Sequence, residues 1–185
     1  MENPGPPHPK MRQWKSRLPF RASTTASGGP WRGHGSVMVR RVPASVSPRI
    51  LAVVDALPLR PDSRVLEIGC GPGAAARTVA ARLGTGHILA VDRSAAAVDQ
   101  ARAGAAEAIA AGRMSVRRTA AQDFVLEPGE QPYDLVFAIR VGGLDGRHPE
   151  IGRRILERLA HATTPDARLF IDGGNPLREL SIPRS

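Results

Sequence analysis

Nine residues, VLEIGCGPG from Val65 to Gly73, constrain the fold of this chain more than any other segment. The run from Arg64 to Ile68 is too short for a helix and ends at glycine, so it reads as a buried parallel strand. Gly69 to Gly73 form the turn behind it. Ala76, Val79, Ala80 and Leu83 then recur at helical spacing until Gly84 and Gly86 end the pattern. A strand, a glycine turn and a helix in that order open a βαβ unit, which commits the chain to a parallel sheet with helices on its faces.

The rest of the pattern extends that unit. Ser47 is an N-cap with Pro48 at the first helical position, and Ile50, Val53, Val54 and Leu57 share one face. Ile88 to Val91 reads as a second strand, and Ser94 caps a helix with Val98, Ala101, Ala105 and Ile109 inward. Met114 to Arg117 gives a third strand and Tyr133 to Ile139 a fourth. Pro149 to Ala162 is a helix with Ile151, Ile155, Leu156 and Leu159 inward, and Arg168 to Ile171 a fifth strand. The order βαβαββαβ predicts an α/β, Rossmann-like, doubly wound sheet of order 3-2-1-4-5 with ligands at the carboxyl ends of its strands.

The net charge of +9 matters less than its placement. Residues 1 to 50 hold nine Lys/Arg, one acid (Glu2), eight prolines and five glycines; residues 51 to 185 hold 17 arginines against 16 acids. This composition predicts a disordered basic tail over 1–44 and one domain over 45–185. Trp14, Phe20 and Trp31 between cations would suit stacking on nucleic acid. The favoured reading is a solvated extension, or translated upstream sequence with Met38 as the start. No apolar run approaches the roughly 18 residues of a membrane span, and no signal-like stretch follows the early charges, so a cytoplasmic protein without membrane partners is expected.

Residue inventory excludes several chemistries. Cys70 is the only cysteine, which rules out an intrachain disulfide and a thiolate zinc cluster. The only lysines, Lys10 and Lys15, lie in the tail, so the domain has neither a Schiff-base lysine nor a phosphate-loop lysine. The five histidines show no HExxH spacing, and no metal is expected.

The turn itself points to a nucleoside. Gly69, Gly71 and Gly73 permit positive φ and let backbone approach a ligand, and Asp92, 19 residues after Gly73, can accept from both ribose hydroxyls. Gly69, Gly71 and Ala74 also satisfy the GxGxxG/A dinucleotide pattern, which keeps an NAD(P)-dependent oxidoreductase as an alternative. Two residues weigh against it. Pro72 removes an N–H that a pyrophosphate would use, and Glu67 would repel phosphate but attract an amino group. The expected ligand is cationic and phosphate-free.

Residues from about 47 to 172 resemble the class I S-adenosylmethionine-dependent methyltransferases, in particular small bacterial members with a plain Rossmann-like core. The resemblance rests on VLEIGCGPG at 65–73, AVDRS at 90–94, AAQDF at 120–124, YDLVFAI at 133–139 and the helix-strand LERLAHATTPDARLFI. It implies S-adenosyl-L-methionine as cofactor, with Gly69, Gly71 and Gly73 against its methionine part, Glu67 near its amino group and Asp92 on its ribose. It also implies Gln122 and Asp123 beside the adenine, Arg93 flanking the ring, and Ile139 with Arg140 bordering the sulfonium and substrate. Cys70 would pack beside the cofactor rather than act as a nucleophile.

The departures from the family pattern are informative. RVGGLDGRHPE after the fourth strand lacks the DPPY or NPPY signature of many amino-group methyltransferases, and PDA at 165–167 replaces the usual PGG. Only 14 residues, Asp172 to Ser185, follow the fifth strand. The usual C-terminal antiparallel strands are therefore expected to be missing, leaving the fifth strand an edge that pairs with another protomer or is shielded by residues 173–185.

The implied reaction moves a methyl group to an oxygen, nitrogen or carbon atom of a small molecule. The protein's main task is to place that atom, with a general base needed only for a protonated acceptor. His148 is the candidate base. A non-catalytic cofactor-binding remnant is the first alternative, ahead of the NAD(P)-dependent oxidoreductase, and an RNA-modifying enzyme delivered by the tail comes last.

Overall fold

The computed structural model describes residues 46–184. The tail predicted over 1–44, with its three aromatic residues, lies outside them. Six strands form one sheet in the order β3-β2-β1-β4-β5-β6. These are β1 (Arg64–Ile68), β2 (His87–Asp92), β3 (Met114–Arg118), β4 (Tyr133–Ala138), β5 (Thr163–Asp172) and β6 (Leu177–Leu180). The first five run parallel in the predicted order, and β6 is antiparallel to β5.

Local chemistry explains the helices. α1 (Pro48–Ala56) begins where the Ser47 hydroxyl accepts from the Ile50 N–H at 3.4 Å, and Pro48 loses no hydrogen bond in the first turn. α2 (Ala74–Ala80) starts directly from the glycine turn. Ser94 caps α3 (Ala95–Gly104) through the Ala97 N–H at 3.3 Å. α5 (Pro149–Ala162) carries Gly152, Ile155, Leu159 and Ala162 inward.

Strand alternation divides the core between the two sheet faces. Val65, Ile88, Ala90, Leu135 and Phe137 pack with α1, α2 and α3, while Leu66, Ile68, Leu89, Val136, Leu169 and Ile171 pack with Ile155 and Leu159 of α5. Glu67 follows Val65 on the first face and is itself buried. A carboxylate thus occupies a position where the pattern calls for an apolar side chain.

Four sequence expectations need correction. The antiparallel strands are not all missing: Leu177 to Leu180 form β6, with Leu169 opposite Leu180 and Asp172 opposite Leu177. The β5 edge is therefore shielded from within the chain, aided by Arg168 bonds to Glu179 at 2.9 and 2.7 Å and by burial of Ile182. β5 begins at Thr163, straight out of α5, and its register against β4 shifts between Tyr133 and Leu135 to absorb the Pro165 segment. The helix after Ser94 breaks at Ala105 into α3 and α4 (Ala106–Ala110), leaving Ile109 only partly buried. Ile151 is 39% exposed, and Gly152 is buried in its place, its backbone against the Gly143 carbonyl of the loop after β4.

Candidate cofactor cleft

The carboxyl ends of β1, β2 and β4 open onto one cleft, and the glycine turn forms its floor. Gly69, Gly71 and Gly73 have φ of 71°, 53° and 74°, left-handed values that a β-carbon disfavours. The Gly69 and Cys70 N–H groups both donate to the Val91 carbonyl, at 2.9 and 3.0 Å, which fixes the turn against β2. The three glycines serve different ends. A β-carbon at Gly73 would meet that of Ala101 at 2.9 Å, and one at Gly69 would meet Val141 at 2.8 Å, whereas Gly71 has nothing within 4 Å. Gly73 is thus required for helix packing, and Gly71 presents bare backbone to open space.

Glu67 lies beneath this turn. It is 2% exposed, and its Oε2 has no hydrogen-bond partner among the described residues. Burial pushes its carboxyl up to about 8, against a pull downward from the Ala76 N–H and a further push from Asp92. A buried unpaired carboxylate is costly unless something supplies a partner. Asp92, by contrast, is locked in place: its Oδ2 accepts from the Gly71 N–H at 2.9 Å and its Oδ1 from the Ser94 N–H at 2.8 Å. One carboxylate therefore spans the turn and the start of α3, with lone pairs left for a ligand. Burial pushes the Cys70 thiol up to about 12, and Glu67 and Asp92 add to the effect, so the sulfur stays protonated and unreactive.

Two cavities flank the turn. The first, about 400 Å³, lies between α1 and the turn and is lined by Arg49, Ile50, Val53, Glu67 and Cys70, among others. The second, about 580 Å³, lies beyond β2 and β4 and is lined by Asp92, Arg93, Thr119, Gln122, Val141 and His148, among others. Gly69 and Arg140 line both, and Ile139 lines the first.

The predicted residues therefore line the two cavities with two exceptions, Gly73, which packs on Ala101 and lines neither, and Asp123. Asp123 ends the 3-10 turn Ala121–Asp123, and its exposed carboxylate accepts from Arg154 at 3.4 Å, outside the lining of either cavity. His148 is exposed at the N-cap of α5; its N–H donates to the Gly142 carbonyl at 3.0 Å and its ring lies against Gly142. No carboxylate bonds that ring among the described residues, so nothing orients it as a base.

The sequence reading missed Arg49 and Asp172. Asp172, at the carboxyl end of β5, accepts from the Arg140 N–H at 2.8 Å through Oδ1 and from Arg49 at 2.6 Å through Oδ2. Arg140 has φ of 58°, a conformation that costs a non-glycine residue about 1–3 kcal/mol and persists only where its surroundings enforce it. An acid at a strand's carboxyl end is the signal that could have flagged Asp172, as it flagged Asp92.

Taken together, these features are those of a Rossmann-like strand-turn-helix whose turn offers a carboxylate where a dinucleotide site would offer free phosphate-binding amides. The chain belongs to the methyltransferase domain family, whose model matches residues 65–166, more than half of its length. No curated protein sequence matches it significantly.

Among solved structures it is similar to a SAM-dependent methyltransferase from Geobacter sulfurreducens in complex with S-adenosyl-L-homocysteine (23% identity, TM-score 0.53, 72% of this chain and 51% of that one). It is also similar to YcgJ from Bacillus subtilis (18%, TM-score 0.53, 66% and 49%). A third likeness is to coclaurine N-methyltransferase bound to N-methylheliamine and SAH (17%, TM-score 0.52, 66% and 35%). The chain spans about half the length of the first two and about a third of the last, and at these identities the likeness is one of fold. The fold is that of the class I S-adenosylmethionine-dependent methyltransferases, and S-adenosyl-L-methionine is the cofactor of that class.

Proposed function

We propose that the protein is a cytoplasmic methyltransferase that uses S-adenosylmethionine to methylate an oxygen, nitrogen or carbon atom of a small molecule. The observation that carries this reading is Glu67, a buried carboxylate with an unpartnered oxygen beside a glycine turn. A cationic amino group would favour the ionised form and supply the missing partner, which a pyrophosphate cannot do. Glu67 and the backbone of Gly69 and Gly71 would hold the amino-acid end of the cofactor, in the first cavity. Asp92 would accept from the ribose hydroxyls, its rotamer already fixed by two backbone donors. Gln122 and Arg93, which line the second cavity, would border the base, and Asp123 could join them only by leaving Arg154.

When bound, the cofactor supplies a methyl group already activated by a sulfonium centre. The protein's residues need only exclude water and orient the acceptor, which suits a cleft without an oriented base. Calorimetric titration with S-adenosylmethionine, S-adenosylhomocysteine and NAD tests the cofactor. Binding of the first two and not the third is expected, and NAD binding alone would overturn the reading. Incubation with labelled methyl donor and a metabolite extract should then yield a labelled small molecule together with S-adenosylhomocysteine.

A further inference from the structure

Resting on that reading, we propose that the methyl acceptor is an anion and that the Arg140 guanidinium holds its carboxylate or phosphate. Arg140 and Gly69 are the residues common to both cavities, so Arg140 stands where the two spaces meet. Its backbone sits at φ 58°, in the left-handed region that glycine adopts freely and arginine does not. Asp172 enforces that conformation by accepting the Arg140 N–H at 2.8 Å while its other oxygen takes Arg49 at 2.6 Å; its side chain is only 13% exposed. The same carboxylate that fixes the Arg140 backbone is thereby engaged by a different guanidinium.

Charge pairing leaves two of the four arginines that line the cavities without a carboxylate, Arg93 and Arg140. Arg49 is paired with Asp172, and Arg147 with Asp145 at 2.7 Å. Arg140 has no carboxylate partner among the described residues. Arg93 likewise lacks one, but it lines only the second cavity, beside Asp92. A strained arginine, latched by a part-buried acid and left unpaired at the junction of two cavities, gains nothing within the fold from its charge. Its planar fork matches a carboxylate or a phosphate, each of which it can hold through two parallel hydrogen bonds.

The test uses the full chain, nitrogen-15 labelled and saturated with S-adenosylhomocysteine. It is titrated separately with benzoate, phenyl phosphate and the neutral isostere benzamide while the amide signals of Arg140, Gly142 and Asp172 are followed. Saturable shifts with benzoate or phenyl phosphate, and at least tenfold weaker ones with benzamide, are expected; which anion binds more tightly separates carboxylate from phosphate acceptors. Arg140→Gly keeps a residue at ease with this φ and should lose the anion response, while Arg140→Lys should recover it in part. Asp172→Ala should weaken anion binding at least tenfold, and Asp172→Asn, which retains an acceptor for the Arg140 N–H, should restore it. Absence of shifts with both anions, equal response to benzamide, or undiminished binding by Arg140→Gly would overturn the proposal. Failure to bind S-adenosylhomocysteine, seen before any anion is added, would instead overturn the methyltransferase reading beneath it.

Discussion

Glu67 carries the clearest pH signature of any residue in the cleft. Unfolded, its carboxyl titrates near 4.5; folded, burial raises it to about 8. Between those values the folded state keeps a proton that the unfolded state has lost, so stability falls as pH rises from about 4.5 to about 8 and levels off above. A cationic ligand group favours the ionised form, so its binding expels that proton below pH 8 and tightens as the pH approaches it. Glu67→Gln should remove both dependences, leaving cofactor affinity nearly flat between about pH 6 and 8 and roughly tenfold weaker at the upper end. Calorimetry across that range, in buffers of differing ionisation enthalpy, checks the affinity and the proton count together.

The two aspartates predicted to hold the nucleoside differ in their surroundings. Asp92→Ala should weaken cofactor binding at least tenfold, because charge-assisted bonds of about 1.5–3 kcal/mol each are lost. It should also lower the melting temperature, since the Gly71 and Ser94 amides lose their acceptor. Asp123→Ala removes an exposed group already paired with Arg154 and should change affinity little. Equal losses in the two variants would mean that Asp123 swings into the cleft on binding.

Among the elements, α5 depends on an absent side chain. A β-carbon at Gly152 would lie 2.2 Å from the Gly143 carbonyl oxygen, so the helix and the loop after β4 are in backbone contact there. Gly152→Ala should gain about 1 kcal/mol of helix propensity and lose more to that clash, typically about 1–3 kcal/mol for an overpacked site. A net fall of a few degrees in melting temperature is expected, with a displaced Gly142–Leu144 loop and altered access to the second cavity. An unchanged melt would show that the loop yields freely.

What the sequence revealed follows from how local each signal is. The glycine turn, the Ser47 and Ser94 caps and the runs of β1, β2 and β4 are written in consecutive residues, and each appears where its chemistry places it. β6 was hidden because LREL is short and is set between Gly173-Gly174 and Pro183, a setting that suits a loop as well as a strand. The Asp172 latch was hidden for another reason. Its partners Arg140 and Arg49 are 32 and 123 positions away, and only strand order brings them together. Asp123 was read from its place in a motif, and a competing arginine on α5 decided its contact. Motif reading thus located the glycine turn and the carboxylates beside it, while the Arg49–Asp172–Arg140 arrangement emerged only from packing.

At the scale of the whole molecule, charge is unevenly distributed along the chain. Residues 51 to 185 are nearly balanced, with 17 arginines against 16 acids, while the first 50 carry nine Lys/Arg against one acid. Lys10, Lys15 and four of the arginines precede Met38, so much of the excess positive charge lies before that residue. Cofactor affinity should then be independent of residues 1 to 37, and affinity for polyanions should not be. A chain beginning at Met38 should bind S-adenosylmethionine within about twofold of the full chain, since it keeps every described residue of the cleft and long-range attraction is screened beyond about 10 Å at 0.1 M salt. Any RNA binding by the full chain should weaken steeply with salt, and removing the first 37 residues should lower both the affinity and the salt slope by releasing fewer counterions. Measured in parallel, a tenfold loss of cofactor affinity in the shortened chain would assign those residues to the cleft, and RNA binding with an unchanged salt slope would move the polyanion surface onto the arginines that ring it.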